Sequence, residues 1–131
     1  MGWYAKVRPV EVRPEALKTL EEMIEICADS PDVEKAEALF PDLPGETLCE
    51  FLAESEPALD DEGRVWFGTV TSPDLEVILP FLGRIARPGS LIVVEIEDEL
   101  PAGWAVLEDG SLKGLTLGFV DPESGRYWLA R

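Results

Sequence analysis

The sequence predicts a single α+β domain over residues 1–131, with a five- or six-stranded antiparallel or mixed sheet and three or four helices packed mainly on one face. Three observations support this fold class. Residues 89–99 are rich in β-branched residues, helical apolar periodicity fills residues 14–56, and short alternating strands separated by turn signals follow residue 100. A chain of 131 residues with 46% hydrophobic content is long enough to bury about two-thirds of its unfolded surface.

Residues 89–99 are predicted to form the central strand. Ile92, Val94 and Ile96 recur at every second position and therefore share one face. On the opposite face Leu91 and Val93 are followed by Glu95, Glu97 and Glu99. Because that second face ends in charged residues, helices are needed on one side of the sheet only.

The N-terminal segment predicts an edge strand followed by an amphipathic helix. Trp3, Ala5 and Val7 alternate with polar residues, and Pro9 favours a bulge in an edge strand. Pro14 suits the first turn of a helix that runs to about residue 28. The predicted apolar face of this helix consists of Leu17, Leu20, Met23, Ile24 and Cys27.

Three further helices are predicted from capping and periodicity. Ser30-Pro31-Asp32, with Ser30 as the N-cap, begins one that continues to about residue 40. A short helix follows at about 46–55. Residues 72–76 repeat the same Ser-Pro-Asp start, and the helix that they begin contains Pro80, which predicts a kink near residue 76.

The remaining strands are predicted from alternation and turns. Residues 60–63 are predicted to form a solvated turn, and residues 64–70 are predicted to form one strand. The connection from this strand to the central strand could form a right-handed parallel crossover. After residue 99 a meander is expected, with a hairpin turn at Asp109-Gly110, alternation over 115–119, a turn at 121–125 and a last strand at 127–129.

The two cysteines are predicted to be reduced. Cys27 and Cys49 both lie at apolar positions of predicted helices, where a free thiol behaves as a small hydrophobe. The N-terminus has no signal-peptide pattern, and the longest apolar run is far shorter than the roughly 20 residues of a membrane span. We therefore expect a cytoplasmic protein without a membrane segment, in which disulfides are rare.

Charge is the most unusual feature of the chain. Eleven basic and 27 acidic residues give a formal net charge of −16. Residues 19–62 contain 15 acidic residues and one lysine, and so contribute −14. Such a surface repels phosphate backbones, so direct binding to nucleic acid is not expected.

Several kinds of chemistry are excluded by composition. The chain has no histidine, which rules out Ser-His-Asp and Cys-His catalysis and histidine-containing zinc sites. Two cysteines cannot form a four-cysteine site, and the sequence has no glycine-rich nucleotide-binding motif. No cofactor is therefore predicted, and a catalytic role is less favoured than a binding role.

Carboxylate chemistry passes these exclusions. Glu95, Glu97 and Glu99 would project from one strand face at roughly 6.5–7 Å spacing, near enough to share a divalent cation with a second strand. The alternative function is thus a small metal-binding protein or hydrolase centred on these residues. The more common explanation of such a pattern is a solvated end of a strand.

A third function follows from the four tryptophans, Trp3, Trp66, Trp104 and Trp128, which all lie in predicted strands. Packing in the core and on the sheet face is the usual reason for such residues. If two or more share an exposed sheet face, they could instead form a binding surface. The chain could then be a subunit of a larger assembly, and self-association is possible.

One segment has a family resemblance. Residues 43–52 (LPGETLCEFL) resemble the helix start of the SUKH-type immunity superfamily, small acidic proteins that neutralise toxins. The resemblance covers about ten residues. The Asn-Gly pair usually expected just after this start is missing, and residues 53–57 (AESEP) stand in its place.

The leading functional prediction is a non-enzymatic inhibitor or regulator that binds a basic, nucleic-acid-handling protein through an anionic helical surface. Acidic ridges can occupy a groove suited to phosphates and can accelerate association electrostatically. The predicted partner-binding residues are Glu21, Glu22, Glu25, Asp29, Glu46, Glu50 and Glu54.

Overall fold

A computed structural model describes residues 3–28, 30–115, 117–120 and 127–129 of the chain. Its fold is α+β, as predicted. Strands and helices are numbered in chain order. Five strands form an antiparallel sheet, which contains in spatial order β5 (Val70–Thr71), β1 (Tyr4–Val7), β6 (Leu91–Ile96), β7 (Ala102–Val106) and β8 (Leu112–Leu115).

Strand β6 lies at the centre of this sheet, which confirms the prediction. It pairs with β1 through Val7 and Val94 and with β7 through Ile92 and Trp104. Ile92 and Val94 are fully buried, because they face the helices. The predicted length of the strand is wrong: β6 ends at Ile96, and a turn follows.

A second, three-stranded sheet has the order β2 (Val10–Glu11), β4 (Arg64–Trp66) and β3 (Ala58–Leu59). The predicted edge strand with a bulge at Pro9 is therefore wrong. The chain leaves the first sheet after Val7 and enters the second at Val10, and β1 is an interior strand of the first sheet.

The predicted strand over residues 64–70 is also divided between the two sheets, into β4 and β5. Between them, the Gly68 N–H donates to the carbonyl of Ser55 over 2.7 Å. A Cβ at residue 68 would lie only 3.1 Å from that carbonyl oxygen. The close approach of backbone to the end of a helix explains both the break and the glycine.

The C-terminal part contains a two-stranded sheet, β9 (Leu117–Val120) with β10 (Tyr127–Leu129). These strands confirm part of the predicted meander. The predicted turn at 121–125 lies outside the described residues.

The described residues contain four α-helices: α1 (Leu17–Ala28), α2 (Val33–Leu39), α3 (Gly45–Ser55) and α4 (Leu75–Ile85). A 3₁₀ turn at Pro14–Ala16 precedes α1. The predicted N-cap at Ser30 is wrong, since Asp32 accepts the Lys35 N–H over 3.2 Å and caps α2. Asp74 caps α4 in a similar way, through the Glu76 N–H.

Helix α4 connects two parallel strands that are not neighbours. β5 and β6 both pair antiparallel with β1, so they run parallel to each other with β1 between them. The two strands thus run in the same direction, as the predicted parallel crossover requires. They are not adjacent, however, because β1 lies between them. Only residues 72–74 separate β5 from α4, so the start of α4 lies close to the end of β5.

The two cysteines form a disulfide, so the prediction of reduced thiols is wrong. Helices α1 and α3 pack against each other, and the Cα atoms of Cys27 and Cys49 lie 4.7 Å apart. This separation lies within the range that a disulfide requires. Both residues are buried, and the bond crosslinks two of the helices that carry the predicted acidic surface.

The predicted turn at residues 60–63 is present, and Asp60 organises it. The Asp60 carboxylate accepts the indole N–H of Trp66 over 2.8 Å and the backbone N–H groups of Glu62 and Arg64 over 2.9 Å each. The Arg64 side chain donates a further bond over 3.1 Å. These donors, first the Trp66 indole and then the Arg64 backbone, lower the pKa of Asp60 from 3.8 to about 2.

Replacement of Asp60 by asparagine is therefore expected to change the acid end of the stability profile. The folded-state pKa of Asp60 lies below its ordinary value, so the carboxylate stabilises the fold fully above about pH 3.8 and loses this effect as the pH falls to about 2. Urea unfolding of both proteins at pH 5 and pH 2 measures the difference. The free energy of unfolding of the wild type should exceed that of D60N at pH 5, and the gap should be much smaller at pH 2, where the folded-state carboxylate is about half protonated.

A gap of equal size at both pH values would show that Asp60 stabilises the turn independently of its charge. Two other carboxyls also have lowered pKa values, Asp42 because of its ion pair with Arg84 and Asp109 because of its bond from Ser111. Both are retained in D60N, so their effects cancel in the comparison.

Candidate functional site

The predicted acidic residues lie on two helices. Glu21, Glu22 and Glu25 are exposed on α1, and Glu46, Glu50 and Glu54 are exposed on α3. Asp29 lies outside the described residues. The two helices are joined by the disulfide, but the clefts that their carboxylates line are different ones.

Glu22 and Glu25 belong to a cleft between α1 and the start of α2. It has a volume of about 410 Å³ and also contains Asp32 and Lys35. The Lys35 ammonium lies 3.9 Å from the Asp32 carboxylate. A cation of the chain itself therefore already neutralises part of the negative charge in this cleft.

Glu50 and Glu54 belong to a second cleft, of about 250 Å³, between α3, the edge of β5 and the start of α4. We call it the anionic cleft. Its rim carries three carboxylates, from Glu50, Glu54 and Asp74, and none of its described lining residues is Lys or Arg. The lining residues are Thr47, Glu50, Phe51, Glu54, Val70, Thr71, Ser72, Pro73, Asp74 and Ile78.

The floor of the anionic cleft is apolar and rigid. Phe51, Val70 and Ile78 are each at most 4% exposed and belong to the hydrophobic core. They come from three different elements, α3, β5 and α4. The floor therefore holds the rim carboxylates on packed secondary structure.

Two of the three carboxylates are oriented by backbone hydrogen bonds. Glu50 and Glu54 lie one helical turn apart on α3, and Glu54 Oε1 accepts the N–H of Thr71 over 2.7 Å. Asp74 Oδ1 accepts the N–H of Glu76 over 3.2 Å as it caps α4. Each bond leaves the second carboxylate oxygen available to a bound cation.

Ser72, between these elements, has a left-handed backbone with φ of +45°. A non-glycine residue in this region carries strain, which the surrounding structure must offset. Here the Ser72 N–H donates to the Trp3 carbonyl over 2.6 Å, and the Trp3 N–H donates to Ser72 Oγ over 3.1 Å. These two bonds fix the rim where β5 leads into α4.

The electrostatics of the anionic cleft favour a cation. The start of α4 contributes a positive partial charge of about half a unit, which opposes the carboxylates. Three full negative charges outweigh it. Carboxylates bind guanidinium and ammonium groups through charge-assisted hydrogen bonds, and the apolar floor can contact the aliphatic stem of Arg or Lys.

Some residues of the anionic cleft were missed by sequence reasoning. Asp74 was interpreted only as part of a helix start, and Thr71 and Ser72 had no predicted role. The sequence does show an acidic capping residue, Asp74, directly after a predicted strand. The residues near it in the sequence do not reveal that it lies opposite α3. Glu46 and Glu21 were predicted as binding residues and do not line the anionic cleft.

The alternative site at Glu95, Glu97 and Glu99 does not have the predicted geometry. Only Glu95 lies on β6; Glu97 and Glu99 follow the strand in a turn where Asp98 has φ of +59°. Glu95 contacts the Arg8 guanidinium at 3.5 Å. Within the described residues, no group of three or more His, Cys, Asp or Glu side chains is placed to hold a metal ion.

The tryptophans are less buried than packing alone predicts. Trp3 is 37% and Trp66 is 47% exposed, whereas Trp104 packs against the core. The side chain of Trp128 lies outside the described part of the chain. Trp3 and Trp66 are therefore partly open to other molecules.

The fold and the site define a small α+β protein with an acidic helical layer and an anionic cleft. Comparison of the chain with models of known protein families, with curated proteins and with solved structures gives no match. The resemblance of residues 43–52 to the SUKH-type superfamily is thus not supported by a family match. No helix in the described ranges has the length and apolar character needed to cross a membrane.

Proposed function

We propose that this chain is a non-enzymatic protein-binding module that inhibits or regulates a basic protein, such as a nucleic-acid-handling enzyme, through its anionic cleft. The supporting observation is the set of three carboxylates, Glu50, Glu54 and Asp74, on a rigid apolar floor without a lining Lys or Arg among the described residues. A protruding Arg or Lys side chain of the partner fits this chemistry.

The charge of the whole chain supports the same function. Residues 19–62 contribute −14 of the net −16. A field of one sign attracts a basic partner over about a Debye length and raises the association rate, whereas the cleft selects which cation is held. Salt should therefore slow association, and the cleft residues should control dissociation.

The test compares two variants that remove equal charge. The cleft variant E50Q/E54Q/D74N removes three charges and keeps an oxygen that can accept the Thr71 and Glu76 N–H bonds. The α1 variant E21Q/E22Q/E25Q removes three charges from the other helix. Affinity capture from a lysate of the source organism, read by mass spectrometry, should recover a basic protein with the wild type and the α1 variant but not with the cleft variant.

Equal recovery with all three proteins would refute a role for the anionic cleft. Equal loss with both variants would show that overall charge, and not this site, attracts the partner. Circular dichroism of each variant checks that the fold is retained. Since both variants keep 24 of the 27 acidic residues, they differ only in where the charge was removed.

A further inference from the structure

A further cleft lies between α4 and the hairpin of β7 and β8, and it shares no lining residue with the anionic cleft. It has a volume of about 630 Å³. We call it the Trp104 groove. Its apolar lining residues are Leu75, Leu79 and Pro80 of α4, Trp104 of β7 and Leu112 of β8. What binds in this groove is therefore independent of what binds in the anionic cleft.

The groove exists because the helices cover the inner face of the five-stranded sheet only in part. Trp104 pairs with Ile92 on one side and with Gly114 on the other, so the three residues share that face. Ile92 is fully buried, Trp104 is half-buried, and Gly114 is exposed on the edge strand β8. The end of α4 packs tightly on the hairpin, since a Cβ at Gly83 would clash with the carbonyl oxygen of Gly110. Beside the first turns of α4, the apolar surface stays open to another molecule.

Trp104 combines a fixed apolar surface with an unused hydrogen-bond donor. One side of the ring packs against the core, and a Cβ at Gly114 would lie 3.9 Å from ring atoms Cδ1 and Nε1. Among the described residues, none accepts the indole N–H. A backbone carbonyl of a peptide can accept it. Tryptophan is also enriched among the residues that dominate binding energy.

The charges that line the Trp104 groove are negative once its ion pair is counted. Both Nη groups of Arg84 bond to the carboxylate of Asp42, which neutralises this arginine. Glu76 and Asp109 also line the groove, and neither forms an ion pair with a described Lys or Arg. Asp109 Oδ1 accepts two bonds from Ser111, which leaves Oδ2 to a ligand. The start of α4 adds a positive partial charge of about half a unit, smaller than the charge of the two carboxylates.

We propose that the Trp104 groove binds a segment of a partner protein in which a large apolar side chain stands next to a Lys or Arg. The apolar side chain packs on Trp104 and on the leucines of the groove, and the cation bonds to Glu76 or Asp109. Charge selects this occupant, because both carboxylates repel an acidic segment. A second copy of the chain is disfavoured because two molecules of −16 repel each other.

The test uses N-acetyl-Phe-Lys amide as the probe and N-acetyl-Phe-Gln amide as the control without charge. Titration of the probe into ¹⁵N-labelled protein should shift the Trp104 indole and Leu112 amide signals saturably, with a Kd on the order of 1 mM. The uncharged control should bind about fivefold more weakly. N-acetyl-Ala-Lys amide, which lacks the ring, should bind about tenfold more weakly.

Two variants that each remove two charges test the carboxylates. E76Q/D109N keeps an oxygen that can accept the bonds from Ser111 and should weaken the probe about fivefold. E21Q/E46Q removes exposed carboxylates of α1 and α3 outside the groove, and its Kd should stay within about twofold of the wild type. G114V places a side chain in the groove beside Trp104, has room for its Cβ, and should weaken the probe about tenfold.

Three results would overturn the proposal: no saturable shift at Trp104, equal affinity for the probe and either control peptide, or equal weakening by E76Q/D109N and E21Q/E46Q. Sedimentation of the free protein at increasing concentration tests the second-copy occupant. Self-association that G114V abolishes would show that another copy of the chain covers the groove, and would also overturn the proposal.

Discussion

Reduction of the Cys27–Cys49 disulfide is expected to lower the melting temperature of this protein by about 10 °C. The bond closes a loop with a sequence separation of 22 residues. A crosslink of that span restricts the unfolded chain and contributes about 3 kcal/mol to the free energy of unfolding. For a domain of this size, each kcal/mol corresponds to about 3–4 °C.

The measurement is thermal unfolding with and without a phosphine reductant. The control is C27A/C49A. Its melting temperature should lie below that of the oxidised wild type and should not change when the reductant is added. Thiol titration of the unfolded wild type without reductant should find no free thiol. Two free thiols, or equal melting of oxidised and reduced wild type, would contradict the crosslink between α1 and α3.

Replacement of Phe81 by alanine is expected to cost about 4 kcal/mol, the largest effect of a single substitution predicted for this chain. Phe81 is fully buried in α4 and contacts the ring of Phe40 edge to face, with centroids 5.2 Å apart. Its loss leaves a cavity between α4 and the end of α2. Since Ile78 lies on α4 and Asp74 caps this helix, the anionic cleft should loosen as well.

Urea unfolding of F81A, F40A and the double variant measures both the cost and the coupling. The losses in the free energy of unfolding of F81A and F40A should add up to about 1 kcal/mol more than the loss of the double variant, as expected for an aromatic pair in contact. F81L provides a smaller change in volume and should retain more than half of the stability that F81A loses. Additive effects of F81A and F40A would contradict the packing of the two rings.

Local pattern predicted the elements well. The period of two in residues 91–96 identified the central strand, and the periods in residues 17–28 and 45–55 identified α1 and α3. These features are encoded by neighbouring residues, because each element must bury one face. The central strand was predicted from its β-branched residues and from the recurrence of Ile92, Val94 and Ile96 at every second position.

Long-range pairing was not predictable in the same way. The division of residues 64–70 between two sheets depends on the contact of Gly68 with Ser55 at the end of α3, which no local pattern reveals. The disulfide also depends on a contact between residues that are distant in the sequence. Both cysteines were correctly assigned to apolar helix faces, but the register of α1 against α3 decides that their Cα atoms approach each other.

The candidate site shows the same limit. Glu50 and Glu54 were predicted as binding residues because they share one face of α3. Asp74 joins them because it follows β5 closely in the chain and Glu54 on α3 accepts the Thr71 N–H of that strand. The sequence thus indicated the helical carboxylates but not the cleft, and it gave no sign that Glu21 and Glu25 would lie apart from it.

The most direct test of the anionic cleft is a titration of ¹⁵N-labelled protein with an N-acetylated hexalysine amide. In low salt, the largest shifts should fall at the amides of Thr71 and Ser72. The E50Q/E54Q/D74N variant should bind about tenfold more weakly, because three ion pairs of roughly 0.5 kcal/mol each are lost. The charge-matched E21Q/E22Q/E25Q variant should bind within about threefold of the wild type. Equal weakening by both variants, with shifts spread evenly over α1 and α3, would contradict the cleft as a cation-binding site.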